Sequence, residues 1–324
     1  MFRMRKAGTK ASNFKLAQSQ MMVYLILIFV LLIAQLASPG YLALNHVAGI
    51  LRLSSFLGIA AIGQTFAILI GGIDLSIANV ITFANVIAAQ VMSGSDSNML
   101  AALLWVLLMG AAVGVINALG IRFLKIPPFI MTLGVGTIIR GIFLIYTNGA
   151  PKGNAAPLLR AICGQSMMGI VSGIVIIWLI LSIAVVIIQK ITPYGRQIYA
   201  IGINEQASRY SGIPTGRIIF SVYILSAVFA ALAGYFLVGY TGTSFLDVGS
   251  DYNTTTIAAV VIGGTAITGG KGGYIGTFAG AIMMTVLNDF LTIVNIPTAG
   301  RQIAQGFIIL ALVLVYSRGK KHNQ

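Results

Sequence analysis

Few residues in this sequence can do chemistry, and most sit inside apolar runs. There are six acids, Asp74, Asp96, Glu205, Asp247, Asp251 and Asp289, against 20 Lys and Arg, for a net charge of +14. One cysteine, Cys163, excludes an intrachain disulfide framework, and His46 and His322 lie too far apart for a histidine-rich metal site. Lys271 stands in Gly269-Gly270-Lys271-Gly272-Gly273, which looks like a phosphate loop. The first glycine of that spacing falls on Thr265, and no Ser or Thr follows the lysine, so nucleotide binding is excluded. There is no metalloprotease histidine pair, no serine elbow, and no paired acids or nucleophile with its base, so no catalytic residue and no metal ligand is assigned. What remains is hydrogen-bonding chemistry.

Polar side chains inside apolar segments cost free energy unless they meet a partner or water. Four groups stand out: Gln64 with Thr65; Asp74, Ser76, Asn79, Thr82 and Asn85 after the pair Gly71-Gly72; Asn117 and Arg140; and Asn288-Asp289. Ser76/Asn79 and Thr82/Asn85 share helical faces by their three-residue spacing. Such groups either line an aqueous path for an uncharged polar solute or tie helices together, at roughly a kcal/mol each or less. Asp74, a charge beside a helix break, suits both uses. Arg140 reads as an anchor near the outer surface.

Membrane helices must position these residues. The chain is 324 residues long, 58% apolar and only 8% charged, which excludes a soluble globular protein with its roughly 25% of charged residues. A span takes about 20 apolar residues. Apolar runs at about 21–37, 53–70, 75–92, 99–121, 128–146, 168–189, 218–240, 254–268, 274–294 and 302–316 predict an all-α polytopic protein of ten transmembrane helices. It forms a single transmembrane domain over 1–324, with no separate extramembrane domain. The first run, preceded by a basic tail at about 1–20, reads as an uncleaved span because no small-x-small cleavage pattern closes it.

An even number of spans with the N-terminus inside puts both ends in the cytoplasm. The N-tail, the Arg122/Lys125 turn, the 190–217 loop, Lys271 and the C-tail at about 317–324 then hold fifteen basic residues. Outer segments hold Arg52, Arg140, Lys152, Arg160 and Arg301, and the two groups account for all twenty. Orientation explains the positive charge without nucleic acid. The spans near Gly71-Gly72 and Gly269-Gly270 run into glycine pairs and read as broken or short helices. Superposing the pairs brings Ile59-Ala60-Ala61 over Ile257-Ala258-Ala259 and Ile77 over Ile275, the hint of an internal repeat.

The 190–217 loop carries a helix signal. Asn204 can cap, Glu205 sits in the first turn with Arg209 four residues on, and Gly212 with Pro214 ends it. The result is one short surface helix, parallel to the membrane, suited to docking a partner.

Several ordered motifs resemble one family, the permeases of bacterial ribose-type ABC sugar importers, from about Pro39 to Val315. They are Leu69-Ile70-Gly71-Gly72-Ile73-Asp74-Leu75-Ser76, Tyr146-Thr147-Asn148-Gly149, Gly202-Ile203-Asn204-Glu205-Gln206-Ala207-Ser208-Arg209-Tyr210-Ser211-Gly212-Ile213, and Ile257-Ala258-Ala259-Val260-Val261-Ile262-Gly263-Gly264-Thr265 with Gly269-Gly270-Lys271-Gly272 behind it. Ile77-Ala78 replaces the family's usual valine-glycine, and Gln206-Ala207-Ser208 a commoner run of alanines and threonine.

The resemblance implies an inner-membrane permease subunit working with a second copy or a paralogue, a cytoplasmic ABC ATPase, and a periplasmic or lipid-anchored sugar-binding protein, in contact with membrane lipid. ATP and Mg would lie on the ATPase, and this chain would bind no cofactor. By position, Gly202, Asn204, Glu205, Ala207, Arg209, Ser211, Gly212 and Ile213 would couple to the ATPase. Gln64, Thr65, Gly71, Gly72, Asp74, Ser76, Asn79, Asn85, Gly263, Gly264, Gly269, Gly270 and Asn288 would shape the translocation path or its gate. The alternative is an ATP-independent carrier or channel for a small polar solute, motivated by the same intramembrane polar residues. Which sugar is carried is not legible, because small, amide and hydroxyl residues suit pentoses and hexoses alike.

Overall fold

A computed structural model describes residues 21–164 and 171–307. The basic N-tail, the C-tail, most of the expected tenth span and the first residues of the expected sixth lie outside the described residues.

The described residues are predominantly helical, with an isolated bridge between Asn154 and Thr243. In order the helices are α1 (Met21–Ala37), α2 (Leu44–Leu69), α3 (Ile77–Met92), α4 (Met99–Arg122), α5 (Pro128–Thr147), α6 (Pro157–Gly164), α7 (Gly173–Ile191), α8 (Pro193–Ile203), α9 (Glu205–Tyr210), α10 (Thr215–Thr241), α11 (Tyr252–Ile262) and α12 (Tyr274–Ile293). Residues 298–307 are helical again. Among the described residues, six segments are long and apolar enough to cross a membrane: α2, α4 with the turn before it, α5, α7, α10 and α12. α1, α3 and α11 are apolar but shorter.

Two boundaries differ from the apolar pattern. α2 begins at Leu44, nine residues before the expected start at 53, because His46 finds a partner and Arg52 is only half-buried in the first half of the helix. α11 stops at Ile262, six residues short of 268, because Gly264 takes a left-handed φ of 82°.

Around α10 pack α2, α3 and α4. Glycine makes these contacts close: a Cβ on Gly63 would lie 2.6 Å from Ser226 Cα, one on Gly114 2.5 Å from Ile224 Cα, and one on Gly234 2.3 Å from Ile81 O. Without a hydrophobic drive between helices in lipid, backbone approach of this kind supplies the dispersion contact. α2 and α10 are buried along much of their length, whereas α4, α5 and α7 expose Leu108, Ile138 and Ile183 to the surroundings.

The 190–217 loop holds two helices, not one. Thr192 caps α8 by accepting the Gly195 N–H at 3.2 Å, Pro193 fills its first position, and Ile198 and Ile201 bury against the core. α9 matches the expected capped helix. Asn204 Oδ1 accepts the Ala207 N–H at 2.9 Å, and the chain leaves through Gly212 at φ 81°.

Candidate functional site

Two helix breaks and the end of α8 meet. α2 stops with Gly71 at φ 81° and the Gly72 N–H on Ala67 O at 2.9 Å; α11 stops with Gly264 at φ 82° and the Thr265 N–H on Val260 O at 3.2 Å. Both are the same left-handed cap with a six-to-one hydrogen bond. Gly264 thus makes the same local turn as Gly71, and Gly269 takes a left-handed φ of 82° as well. Gly269-Gly270 lies farther along the connection to α12 and touches the first break instead of merely resembling it. The Gly270 N–H donates to Leu69 O at 2.9 Å, and a Cβ on Gly269 would lie 2.8 Å from Gly71 N. Gly202 closes the junction: a Cβ there would come within 1.9 Å of Leu69 O and 2.4 Å of Gly270 N. Three backbone segments thus touch at Gly202, three residues before α9 begins. Tyr199, whose phenol burial pushes above its ordinary pKa, donates to Gly272 O at 2.9 Å and pins α8 to the second break.

α9 itself is offered to solvent. Asn204, Glu205, Ala207, Arg209, Ser211 and Gly212 are exposed, Tyr210 is 81% exposed, and Ile213 is half-buried, with Ser208 turned inward. Both ends of α9 are tied, by the Asn204 cap and by the Ile213 N–H on Ser208 O.

Beyond the first break, Asp74 lies wholly inside the protein. Its Oδ1 accepts the Ser76 N–H at 2.9 Å and the Ser76 hydroxyl at 2.6 Å; its Oδ2 accepts the Ser226 hydroxyl at 2.7 Å. Ser76 Oγ in turn accepts from Asn117 Nδ2 at 3.0 Å. The Leu75 N–H donates to Thr132 of α5 at 3.0 Å. This network sews the α2–α3 connection to α4, α5 and α10. Thr65 reaches Thr277 of α12 at 3.0 Å, and Gln64 is buried with neither amide atom paired.

The predicted path residues thus fall in separate places. Gln64, Thr65, Gly71, Gly72, Asp74 and Ser76 gather around the first break, and Gly263, Gly264, Gly269 and Gly270 form the second. Asn79 is half-buried beside Gly136 of α5. Asn85 is buried and accepts the Phe245 N–H at 3.1 Å. Asn288, near the far end of α12, accepts from Gln305 at 2.6 Å. Arg140 is exposed on α5. An apolar pocket of about 330 Å³, between α2, α7, α8 and α10, is lined by none of them.

Two features escaped sequence reading. His46 Nε2 lies 2.9 Å from Asp289 Oδ2, with the Tyr41 ring packed edge-on at 4.7 Å. The segment between α10 and α11 is the other. Both rest on partners more than 150 residues apart, so no local pattern announces them.

Comparison with known proteins agrees with this architecture. Residues 46–315 match the family described as "Branched-chain amino acid transport system / permease component". The ribose import permease protein RbsC of Haemophilus influenzae is 34% identical over 311 residues, covering 94% of this chain and 96% of that protein. The chain belongs to this permease family. RbsC of Escherichia coli K12 is 33% identical over 96% of both chains, and the D-allose transport system permease protein AlsC of that strain is 32% identical over 94% of this chain and 93% of its own. No solved structure matches the chain significantly. As a permease of this family it is a membrane-embedded transporter subunit, not an enzyme.

Proposed function

We propose that this permease moves a sugar or sugar-like solute into the cytoplasm by alternating access, driven by a separate ATPase that docks on α9. The named solutes of the relatives, ribose and D-allose, support the sugar class, because those relatives align over more than nine-tenths of this chain. In this reading two permease chains, identical or paralogous, sit in the inner membrane with their termini in the cytoplasm. A sugar-binding protein delivers solute from outside, and the ATPase holds ATP and Mg.

The observation that carries the proposal is the contact of Gly202 with both helix breaks. ATP-driven closure displaces a short helix tied at both ends. α8 transmits the displacement, and the backbone junction passes it to α2 and α12 together. Helix breaks are where membrane helices bend at least cost, since their backbone groups are already partnered elsewhere. Asp74 and Ser76 hold the first break in register with α10, so the change is a shift between two packed arrangements. Glu205 and Arg209 fix the docking, and bare Gly212 permits close approach.

The test is to purify the tagged chain from its native membrane in mild detergent, identify what accompanies it, and assay ATP hydrolysis. A cytoplasmic ATPase should copurify. Glu205→Lys should release it and abolish ATP-driven uptake while the permease stays inserted. Solute movement in liposomes by the chain alone would install the carrier reading instead.

A further inference from the structure

The connection from α10 to α11 does not stay at the outer surface. Its start is at the rim, where Thr243 bridges Asn154 and the Gly94 N–H bonds Asn154 O at 2.9 Å. From there it descends along α3. The Phe245 N–H is taken by Asn85 at 3.1 Å, the Gly249 N–H by the Thr82 hydroxyl at 3.1 Å, and Asn253 pairs with both the Ala78 N–H at 3.0 Å and Leu75 O at 2.9 Å. Fourteen residues of α3 separate Met92, at its outer end, from Ala78. At 1.5 Å per residue the connection therefore sinks about 21 Å, well into a hydrocarbon layer about 30 Å thick. A Cβ on Gly249 would lie 2.1 Å from Ala78 O, so the descent hugs the α3 backbone.

The other side of this stretch, irregular as far as Asp251 and then the first turn of α11, is bare. Asp247, Ser250, Asp251 and Thr254 are exposed, and Phe245 is 50% exposed. Asp251 Oδ1 accepts Gln302 Nε2 at 3.1 Å, which leaves the carboxylate exposed still. Irregular backbone at membrane depth persists only where protein buries it or water lines it, and exposed carboxylates there exclude lipid. Behind the segment, fully buried Asn85 turns its amide to it: Oδ1 holds Phe245, and Nδ2 has no hydrogen-bond partner.

We infer that residues 243–254 are a water-facing wall of the translocation path that contacts a neutral polyhydroxylated solute. Carboxylate and hydroxyl oxygens accept from solute hydroxyls, and the Phe245 ring offers a flat apolar face to the C–H side of a pyranose or furanose. The solute class rests on the function proposed above; the exposure to water does not.

Thiol labelling tests the wall. Asp247→Cys, Ser250→Cys and Thr254→Cys are placed singly in the full chain, beside Leu108→Cys and Ile183→Cys on the exposed faces of α4 and α7. Cys163 is fully buried and stays silent. A cationic, membrane-impermeant methanethiosulfonate should modify the first three at least tenfold faster than the two controls. Equally slow labelling overturns the inference. This assay needs no ATPase, so it decides the wall even if the coupling reading fails. In the reconstituted complex, Asp247→Asn/Asp251→Asn should cut uptake of D-ribose or D-allose at least tenfold with ATP hydrolysis within twofold of the parent. Unchanged uptake overturns the solute contact.

Discussion

Asp74 accepts three hydrogen bonds in an interior without solvent, and its value lies in what its loss would strand. Asp74→Ala leaves the Ser76 N–H and the Ser76 and Ser226 hydroxyls without that acceptor, at about 1–3 kcal/mol for each buried donor not otherwise satisfied. We expect a clear drop in the detergent melting temperature, with Asp74→Asn milder because an amide oxygen can still accept on one side. Gly202→Ala meets backbone on two sides rather than a yielding side chain, so about 1–3 kcal/mol of overpacking is expected. Its distinguishing result is weaker coupling: ATP hydrolysis by the complex should persist while uptake per ATP falls. Unaltered melting and uptake in Gly202→Ala would dissolve the junction as a mechanical link.

At the scale of elements, α9 was legible because its signals are local: a capping Asn204, an acid in the first turn and a glycine stop. α8 was not read, though Thr192, Pro193, Ile198 and Ile201 carry a helix start and an apolar face; a polar loop between spans masked them. The early end of α11 is not legible from hydropathy, since Gly263 to Thr268 contains no charge or proline to mark a stop. Only backbone conformation at Gly264 distinguishes it. Asp74 was legible as important but not as enclosed, because its partners Ser226 and Asn117 come from α10 and α4. Removing the cap tests α9: Asn204→Ala should cost about 1 kcal/mol of helix stability. We expect severalfold weaker ATPase retention on purification, restored by Asn204→Asp.

For the whole molecule, the charge bias and the order of apolar runs predict that α8 and α9 lie in the cytoplasm and the 148–156 loop outside. Alkaline phosphatase fused after Gly149 should be active, and fused after Ser211 inactive. Equal activity at both sites would reverse the orientation on which the docking of α9 depends. The long-range arrangement needed the structure: a descending 243–254 segment has no hydropathy signature, being short, mixed and irregular.

The contact of Gly202 with Leu69 O and Gly270 N is backbone on backbone. A contact made only of peptide groups carries no information about the cargo; it can be kept or destroyed but not retuned. In the proposed reading, cargo preference and drive are separable parts of one chain. Grafting residues 243–254 of a relative with another solute should change what is carried and leave the motor's response intact. A lineage could in this way acquire a new nutrient without reinventing its engine.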